Sequence, residues 1–304
     1  MRNEFQVIIN ITDQDPEHKK KLKQLDAKLC RYKEIYPYEY NIIKINNSHE
    51  NVNASMMNVI TEGSFIASQG PNDNTVDDFW QMCFQYNVRY ILMLCKEFED
   101  NKKKCSNYWD KNMISQNFEN IDFQILSQDN FIERKKITIF NKTTNETRLF
   151  HHLQFKQWPD HATPNIQNYV MLFREMFKFV DEGGELKNKN NNNNSNNNSN
   201  NSKNNSNNNS NNNIPMGPIL IHCSAGIGRT GVFLTLYALC KEINNQLKSQ
   251  DSDCIIFSVY NFVRKLKEMR MFSVENINQY NFIYKFLEEY LREVNIPQQP
   301  QMSS

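Results

Sequence analysis

The sequence predicts an α/β chain, in the α+β sense, and three observations predict it. Residues 218–221 are a continuous apolar run that reads as a buried strand; after a turn carrying one cysteine, two glycines and an arginine, the apolar positions of 231–241 recur at helical spacing. Segments 118–126, 131–140 and 148–155 are strand-like and joined by charged connections, the pattern of an antiparallel meander. Around them lie stretches with one apolar face at helical spacing, at 75–86, 167–180, 255–269 and 277–294.

In chain order, 15–29 is charged with Leu22, Leu25 and Leu29 apolar, which predicts an amphipathic helix with Pro16 in its first turn. Residues 30–38 form a Tyr-rich loop, and 65–68 a short strand ended by Gly70 and Pro71. The helix at 75–86 is capped by Asn74 or Thr75 and turns Phe79, Met82, Cys83 and Tyr86 inward, and 90–95 is a continuous apolar strand. The meander runs out at Trp158-Pro159-Asp160-His161, where a proline before an aspartate sets a carboxylate at a hinge-like surface position. The helix at 167–180 buries Tyr169, Val170, Phe173, Phe177 and Val180 and stops at Gly183-Gly184. Residues 188–213 are almost wholly asparagine, too poor in apolar groups to offset the entropy of ordering, and predict a disordered surface insertion. The last two helices, 255–269 and 277–294, lead to a flexible tail at 297–304.

Composition narrows the function classes. The 304 residues, 39% of them apolar, can bury a full core, and by length form one or two domains. With 35 basic and 34 acidic residues no special electrostatic partner is indicated, nucleic acid included; the lysines of 19–23 read as a solvated face. No apolar run is long enough to span a membrane and the N-terminus has no signal-peptide core, so a cytoplasmic protein is expected. Seven cysteines without a Cys-x-x-Cys pair make neither a disulfide framework nor a zinc site, and fit a reducing compartment. Six of them read as small hydrophobes, with Cys223 set apart by its surroundings.

Those surroundings are His222-Cys223-Ser224-Ala225-Gly226-Ile227-Gly228-Arg229-Thr230-Gly231. A strand, a tight turn and a helix N-terminus leave several backbone N–H groups pointing into one concavity, where phosphate is held. Gly226 and Gly228 let the backbone close round the anion, and Arg229 in the first helical turn can grip two of its oxygens. Amides, helix dipole and arginine together favour negative charge on the sulfur, which makes Cys223 a candidate nucleophile toward phosphorus.

This run resembles the active-site loop of the protein tyrosine phosphatases, whose pattern is His-Cys, five residues, Arg, then Ser or Thr and Gly. The resemblance implies a single tyrosine-phosphatase-like domain over 1–296, interrupted at 188–213, built as a twisted mixed sheet flanked by helices. It implies hydrolysis of phosphotyrosine in proteins through a cysteinyl-phosphate, with no metal and no cofactor. By it, Cys223 is the nucleophile. The amides of Ser224, Ala225, Gly226, Ile227 and Gly228, with Arg229, cradle the phosphate. Thr230 donates a hydrogen bond to the leaving thiolate and His222 holds the loop.

Further blocks extend the resemblance. Cys30-Arg31-Tyr32-Lys33-Glu34 resembles the substrate-recognition loop Asn-Arg-Tyr-x-Asp/Asn, in which Tyr32 stacks on the phosphotyrosine ring and Glu34 takes the place of the group that holds the substrate backbone. Glu99, then Lys104-Cys105-x-x-Tyr108-Trp109, resembles a loop whose acid orients the guanidinium of Arg229 and whose lysine, Lys104, faces the general-acid loop. Trp158-Pro159-Asp160-His161 resembles that mobile loop, making Asp160 the general acid and then the base, although Ala162 replaces the usual glycine. Blocks at 52–55, 65–71 and 74–80 are similar to architectural ones.

The chain departs from the family at 269–280, where Gln-Thr-x-x-Gln is usual. Gln279 matches the second glutamine, near the hydrolytic water; Glu275 replaces the first, and Phe272 replaces a glycine that keeps the cleft open. A carboxylate at Glu275 is expected to repel a dianionic substrate and slow turnover. Two other readings share parts of the pattern. A dual-specificity or phosphoinositide phosphatase would have the same Cys-x5-Arg loop, but Ser224, Ala225 and Ile227 are not basic and Tyr32 implies a deep cleft. A phosphotyrosine-binding pseudophosphatase would not need Cys223, Arg229 and Asp160 all intact.

Overall fold

The computed structural model describes residues 1–46, 51–59, 64–110, 115–158, 163–196, 217–249 and 254–294, and of 184–196 the backbone alone. In chain order the helices are α1 (Arg2–Ile11), α2 (Pro16–Lys20), α3 (Val76–Gln85), α4 (Ile166–Asn196), α5 (Gly228–Lys248), α6 (Val259–Met269) and α7 (Ile277–Val294). The strands are β1 (Ile42–Lys44), β2 (Asn51–Met57), β3 (Phe65–Ser68), β4 (Tyr90–Met93), β5 (Phe98–Glu99), β6 (Lys102–Lys103), β7 (Phe118–Gln128), β8 (Ile132–Asn141), β9 (Glu146–Phe155) and β10 (Ile219–His222).

Eight strands form one sheet in the order β1-β2-β3-β10-β4-β9-β8-β7. Its centre is parallel: β10 pairs with β3 and β4, and β4 with β9. β3, β4 and β10 are buried at every position, because helices cover both faces of a parallel sheet, and this is why 90–93 and 219–221 read as continuous apolar runs. The flanks, β1-β2-β3 and β9-β8-β7, are antiparallel. The twisted mixed sheet flanked by helices is thus the fold that the sequence led us to expect. Against the sheet, α5 is buried at every residue from Gly228 to Cys240, which fits a central helix that is apolar all round. Phe173, Phe233 and Phe286 join it to α4 and α7 through ring contacts of 4.8 to 5.5 Å. Among the described residues no helix is long and apolar enough to cross a membrane.

Several predicted elements differ in the structure. The helix expected over 15–29 is only α2, capped by Asp15, whose side chain accepts from the N–H of Glu17. The chain then leaves the helix because its backbone pairs elsewhere: Lys23 N–H donates to Pro37 O at 2.8 Å and Glu39 N–H to Lys21 O at 2.8 Å. Asp26 caps a separate 3-10 turn, Ala27–Leu29. The helix expected at 255–269 starts at Val259, where Ser258 is the N-cap. Thr75 stands at the N-cap of α3 without capping it; its hydroxyl accepts from the N–H of Asn72 instead.

α4 does not stop at Gly183-Gly184 but runs to Asn196, so the backbone of 188–196 is helical, and 197–213 lies outside the described residues, as does 297–304. Gly183 is there for packing: a Cβ on it would lie 3.0 Å from the Tyr90 ring and 3.2 Å from Ile219. α1, unanticipated, buries Phe5 and Ile8.

Candidate active site

The site grows from the carboxyl end of the central strand, where open α/β sheets hold their ligands. β10 ends at His222, the chain turns through Cys223, and α5 begins at Gly228. Within that turn the N–H of Gly226 donates to Cys223 Sγ at 3.2 Å. Gly226 has φ +72, and a Cβ there would lie 2.1 Å from the Ser68 carbonyl oxygen, so no other residue fits. The N–H of Gly70 donates to Ser224 O at 2.9 Å.

The cradle is also held from below by a residue the sequence reading missed. Arg270 is fully buried and donates from Nε to Gly226 O at 2.8 Å and from Nη2 to Ala225 O at 3.2 Å. Its other bonds go to Asn53 Oδ1 at 2.9 Å and Ser55 Oγ at 3.1 Å. Engaging these carbonyls fixes the orientation of the peptide units between them. Burial pulls the Arg270 pKa down to about 10, still far above neutrality. The signal for it was a lone charge between Met269 and Met271 at the end of an amphipathic helix.

Arg229 is fixed by a two-pronged bond to Glu99: Nη1 to Oε1 and Nη2 to Oε2, both 2.6 Å, with Nη1 also reaching Leu94 O at 3.2 Å. Burial opposes the charged guanidinium, but Glu99 outweighs it and raises the pKa. Glu99 is presented by the β5–β6 hairpin, whose turn residues Asp100 and Asn101 have φ +48 and +59, the type I′ geometry these residue types tolerate. The same hairpin delivers Lys104, which is buried and lines the cleft, its N–H on Glu97 O at 2.7 Å.

Ser224 links two walls. Its Oγ donates to Lys104 O at 2.8 Å, so the 2.8 Å bond with Tyr32 must be donated by the tyrosine hydroxyl. Tyr32 is positioned by its neighbour Arg31, another residue the sequence reading did not single out. Arg31 donates from Nε to Gly70 O at 2.8 Å, from Nη1 to Lys103 O at 3.1 Å, and from Nη2 to Pro71 O. Glu34 is exposed, at φ +68, and is not among the residues lining the cleft.

Behind the cradle runs a chain of buried groups. His222 Nδ1 meets Cys223 O at 3.0 Å and, since a carbonyl only accepts, carries the proton. Nε2 therefore accepts from the Tyr108 hydroxyl at 2.7 Å, and Tyr108 accepts from His152 Nε2 at 3.0 Å. His152 Nδ1 is then left buried without a partner among the described residues. Burial depresses both imidazoles, His222 to about 4 and His152 well below its ordinary value, so both are neutral at pH 7.

The second loop over the cradle carries Glu275 and Gln279. Gln279 is buried and accepts the N–H of Glu275 at 2.9 Å. A Cβ placed on Gly228 would lie 2.8 Å from Gln279 Nε2 and 2.9 Å from Glu275 Oε2, so both side chains overhang the cradle, although Glu275 is exposed. Phe272, at φ +64, is half-buried and does not line the cleft, so it does not close it as its bulk suggested. Thr230 Oγ1 is buried with no hydrogen-bond partner among the described residues; the expected bond to Cys223 is not formed. Trp158 packs edge-on against Tyr169 at 5.2 Å and tilted on Phe282 at 5.9 Å. Asp160 and its neighbours from 159 to 162 lie outside the described residues.

The cleft so formed has a volume of about 350 Å³ and brings together Tyr32, Lys104, Cys223, Arg229, Glu275 and Gln279. A basic hairpin, a thiol that takes the Gly226 amide and a fixed guanidinium suit a tetrahedral oxyanion and nucleophilic attack on it.

Comparison with known proteins agrees. The chain is similar to the human tyrosine-protein phosphatase non-receptor type 20, 30% identical over 275 residues that cover 87% of this chain and 54% of the relative. It is 29% identical over 299 residues to the human receptor-type tyrosine-protein phosphatase C, covering 94% of this chain and 20% of the relative. The chain thus spans about half or less of these relatives' length. The crystal structure of the catalytic domain of human protein tyrosine phosphatase non-receptor type 18 superposes with a TM-score of 0.68 at 23% identity, covering 95% of both chains, and that protein has also been solved in complex with phosphopeptides. Because the family model for protein-tyrosine phosphatase matches residues 26–289, this chain belongs to the protein-tyrosine phosphatase family.

Proposed function

We propose that the chain hydrolyses phosphotyrosine in proteins through a cysteinyl-phosphate intermediate, as a cytoplasmic enzyme of phosphotyrosine signalling. The observation that carries the reading is the two-pronged Arg229–Glu99 bond beside a Cys223 sulfur that already takes a cradle amide. The thiolate of Cys223 attacks phosphorus; the sulfur–phosphorus bond forms, the tyrosyl oxygen–phosphorus bond breaks, and Asp160 gives its proton to the phenolate oxygen. The amides of 224–229 and the Arg229 guanidinium hold the three equatorial oxygens. Tyr32 stacks on the substrate ring, and Glu34 accepts from the peptide backbone. Water then attacks phosphorus, its proton passes to Asp160, and the thiolate leaves; the Thr230 hydroxyl, which has no partner among the described residues, turns to donate to it at that step. Gln279 holds that water. His222 and Trp158 support the loops, and Lys104 serves the general-acid loop. The seven cysteines are all free, which supports a reducing compartment.

A second reading, phosphotyrosine binding with crippled turnover, draws on one observation: the Glu275 carboxylate overhanging Gly228. Turnover of a phosphotyrosyl peptide and of the matching phosphoseryl peptide tests both. The expected result is release of phosphate from the first alone; binding of the first without release favours the second reading, and release from both would overturn tyrosine specificity.

A further inference from the structure

Asp13 lies just after α1, outside the residues 26–289 matched by the family model, yet it touches the loop that overhangs the cradle. It is 7% exposed. Its Oδ2 is 2.5 Å from Nζ of Lys267, fully buried in α6, and its Oδ1 accepts the N–H of Phe272 at 3.0 Å. Phe272 and Val274 have φ +64 and +57, a left-handed backbone disfavoured for any side chain and most for a β-branched one. Such a turn persists only when its surroundings over-determine it.

Three ties do so. Arg270 bonds the cradle carbonyls, and Val274 N–H donates to Ile227 O at 3.3 Å. Those two arise within the active-site loops themselves. The third is Asp13, which comes from the N-terminal segment. That segment also grips the far side of Gln279, since Glu4 accepts from the hydroxyls of Tyr280 and Tyr284. Phe5 and Ile8 anchor it in the core.

We infer that Asp13 is a positioning residue for the hydrolytic half of the reaction: by accepting the Phe272 N–H while neutralising Lys267, it holds the turn at 272–274 that sets Glu275 and Gln279 over Gly228. Its kinetic consequence rests on the phosphatase reading above; its conformational consequence does not. A glycine at 272 would adopt its left-handed position without steric cost, leaving only Val274 to be held, so the tie matters more because this chain has phenylalanine there.

The test compares the native protein, the double variant Asp13→Ala/Lys267→Met, and that variant with Phe272→Gly added. Removing both buried charges together avoids stranding an unpaired ammonium. Amide hydrogen exchange at 272–275 should rise at least about tenfold in the double variant, with β10 and α5 as protected as before. On p-nitrophenyl phosphate, kcat should fall about tenfold while kcat/KM does not fall, because Gln279 acts on the step after the cysteinyl-phosphate and moving the Glu275 carboxylate away only eases substrate entry. Adding Phe272→Gly should return kcat to within about threefold of native. Unchanged exchange at 272–275, a parallel fall of kcat and kcat/KM, or no recovery with glycine would each overturn the inference. Were the native protein to show no turnover, the phosphatase reading would fail, and the exchange result alone would still decide whether Asp13 holds the turn.

Discussion

The two loops that meet over Gly228 solve the same backbone problem in opposite ways. In the cradle at 223–229 the left-handed position is a glycine, Gly226. In the loop at 270–279 the left-handed positions are Phe272 and Val274, each at a cost of about 1–2 kcal/mol that glycine would not incur. The cradle's shape is therefore set largely by its own residues and the wall of Ser68 against it. The other loop depends on groups far away in sequence: Asp13, and Arg270 reaching back to Gly226. Where conformation is written locally, chemistry follows from the local sequence; where it is imposed, the chemistry can drift, and Glu275 lies in the imposed loop.

The largest expected effects come from breaking the cradle. Cys223→Ser should abolish turnover and leave phosphotyrosine-peptide binding intact, because the amides and Arg229 are untouched. Measured turnover in that variant would remove Cys223 from the mechanism. Asp160→Ala should lower kcat on phosphotyrosine by about 10²–10⁴, the usual worth of a general acid, and much less on p-nitrophenyl phosphate, whose leaving group needs no proton. Equal losses on both substrates would argue against that role.

Glu99→Gln tests whether the guanidinium must be fixed or only present. The carboxamide can accept one of the two bonds made at 2.6 Å but not both as a charged pair, and Arg229 stays buried. By analogy with losing one preorganised donor, kcat/KM should fall about 10²–10³-fold. A loss under tenfold would mean that Leu94 O and the cradle suffice to orient Arg229.

A smaller effect concerns pH and the stability of the whole cradle. His222 is neutral when folded, its pKa lowered by burial to about 4 from an ordinary value of 6.5. Above 6.5 neither folded nor unfolded imidazole is charged. As pH falls from 6.5 towards 4 the unfolded state binds a proton that the folded state refuses, so stability is lost through that window, by an amount on the order of 3 kcal/mol. Urea unfolding at several pH values should show this slope, and His222→Gln should flatten it. A slope unchanged by the substitution would assign the effect to His152, which burial also holds well below its ordinary value.

The same contrast decides what was legible in the sequence. β10, the cradle and the start of α5 were readable because an apolar run, two glycines and an arginine dictate strand, turn and helix within a dozen residues. The helix expected at 15–29 failed because Lys21 and Lys23 pair with the chain near 37–39, a choice no local periodicity records. Gly183 read as a helix stop, but its missing side chain makes room for Tyr90 and Ile219. Arg31 and Arg270 were passed over because their work is done on backbone carbonyls about 40 residues or more away. Glu275 could be singled out by its departure from pattern, but where it points could not.

That orientation leads to the smallest and most discriminating prediction. Glu275 Oε2 lies 2.9 Å from where a Cβ on Gly228 would stand, at the rim of the cradle that the proposed reaction uses. On the proposed mechanism a carboxylate there repels the dianionic substrate, and it repels the cysteinyl-phosphate as well. Gln279 Nε2, beside it, offers the opposite polarity and is held because Oε1 is occupied by the Glu275 N–H. Glu275→Gln keeps the shape and that backbone bond while removing the charge. Because Glu275 is exposed, water screens much of the repulsion, so the gain should be modest, on the order of threefold to tenfold in steady turnover. If hydrolysis is the slowed step, the native enzyme should release a burst of phenol before its slow steady rate, and the variant should show a smaller burst. Raised salt should speed the native enzyme and leave the variant unchanged, which separates charge from shape. A variant with the native rate, burst and salt dependence would mean that the carboxylate, though it overhangs the cradle, is felt by neither the substrate nor the water.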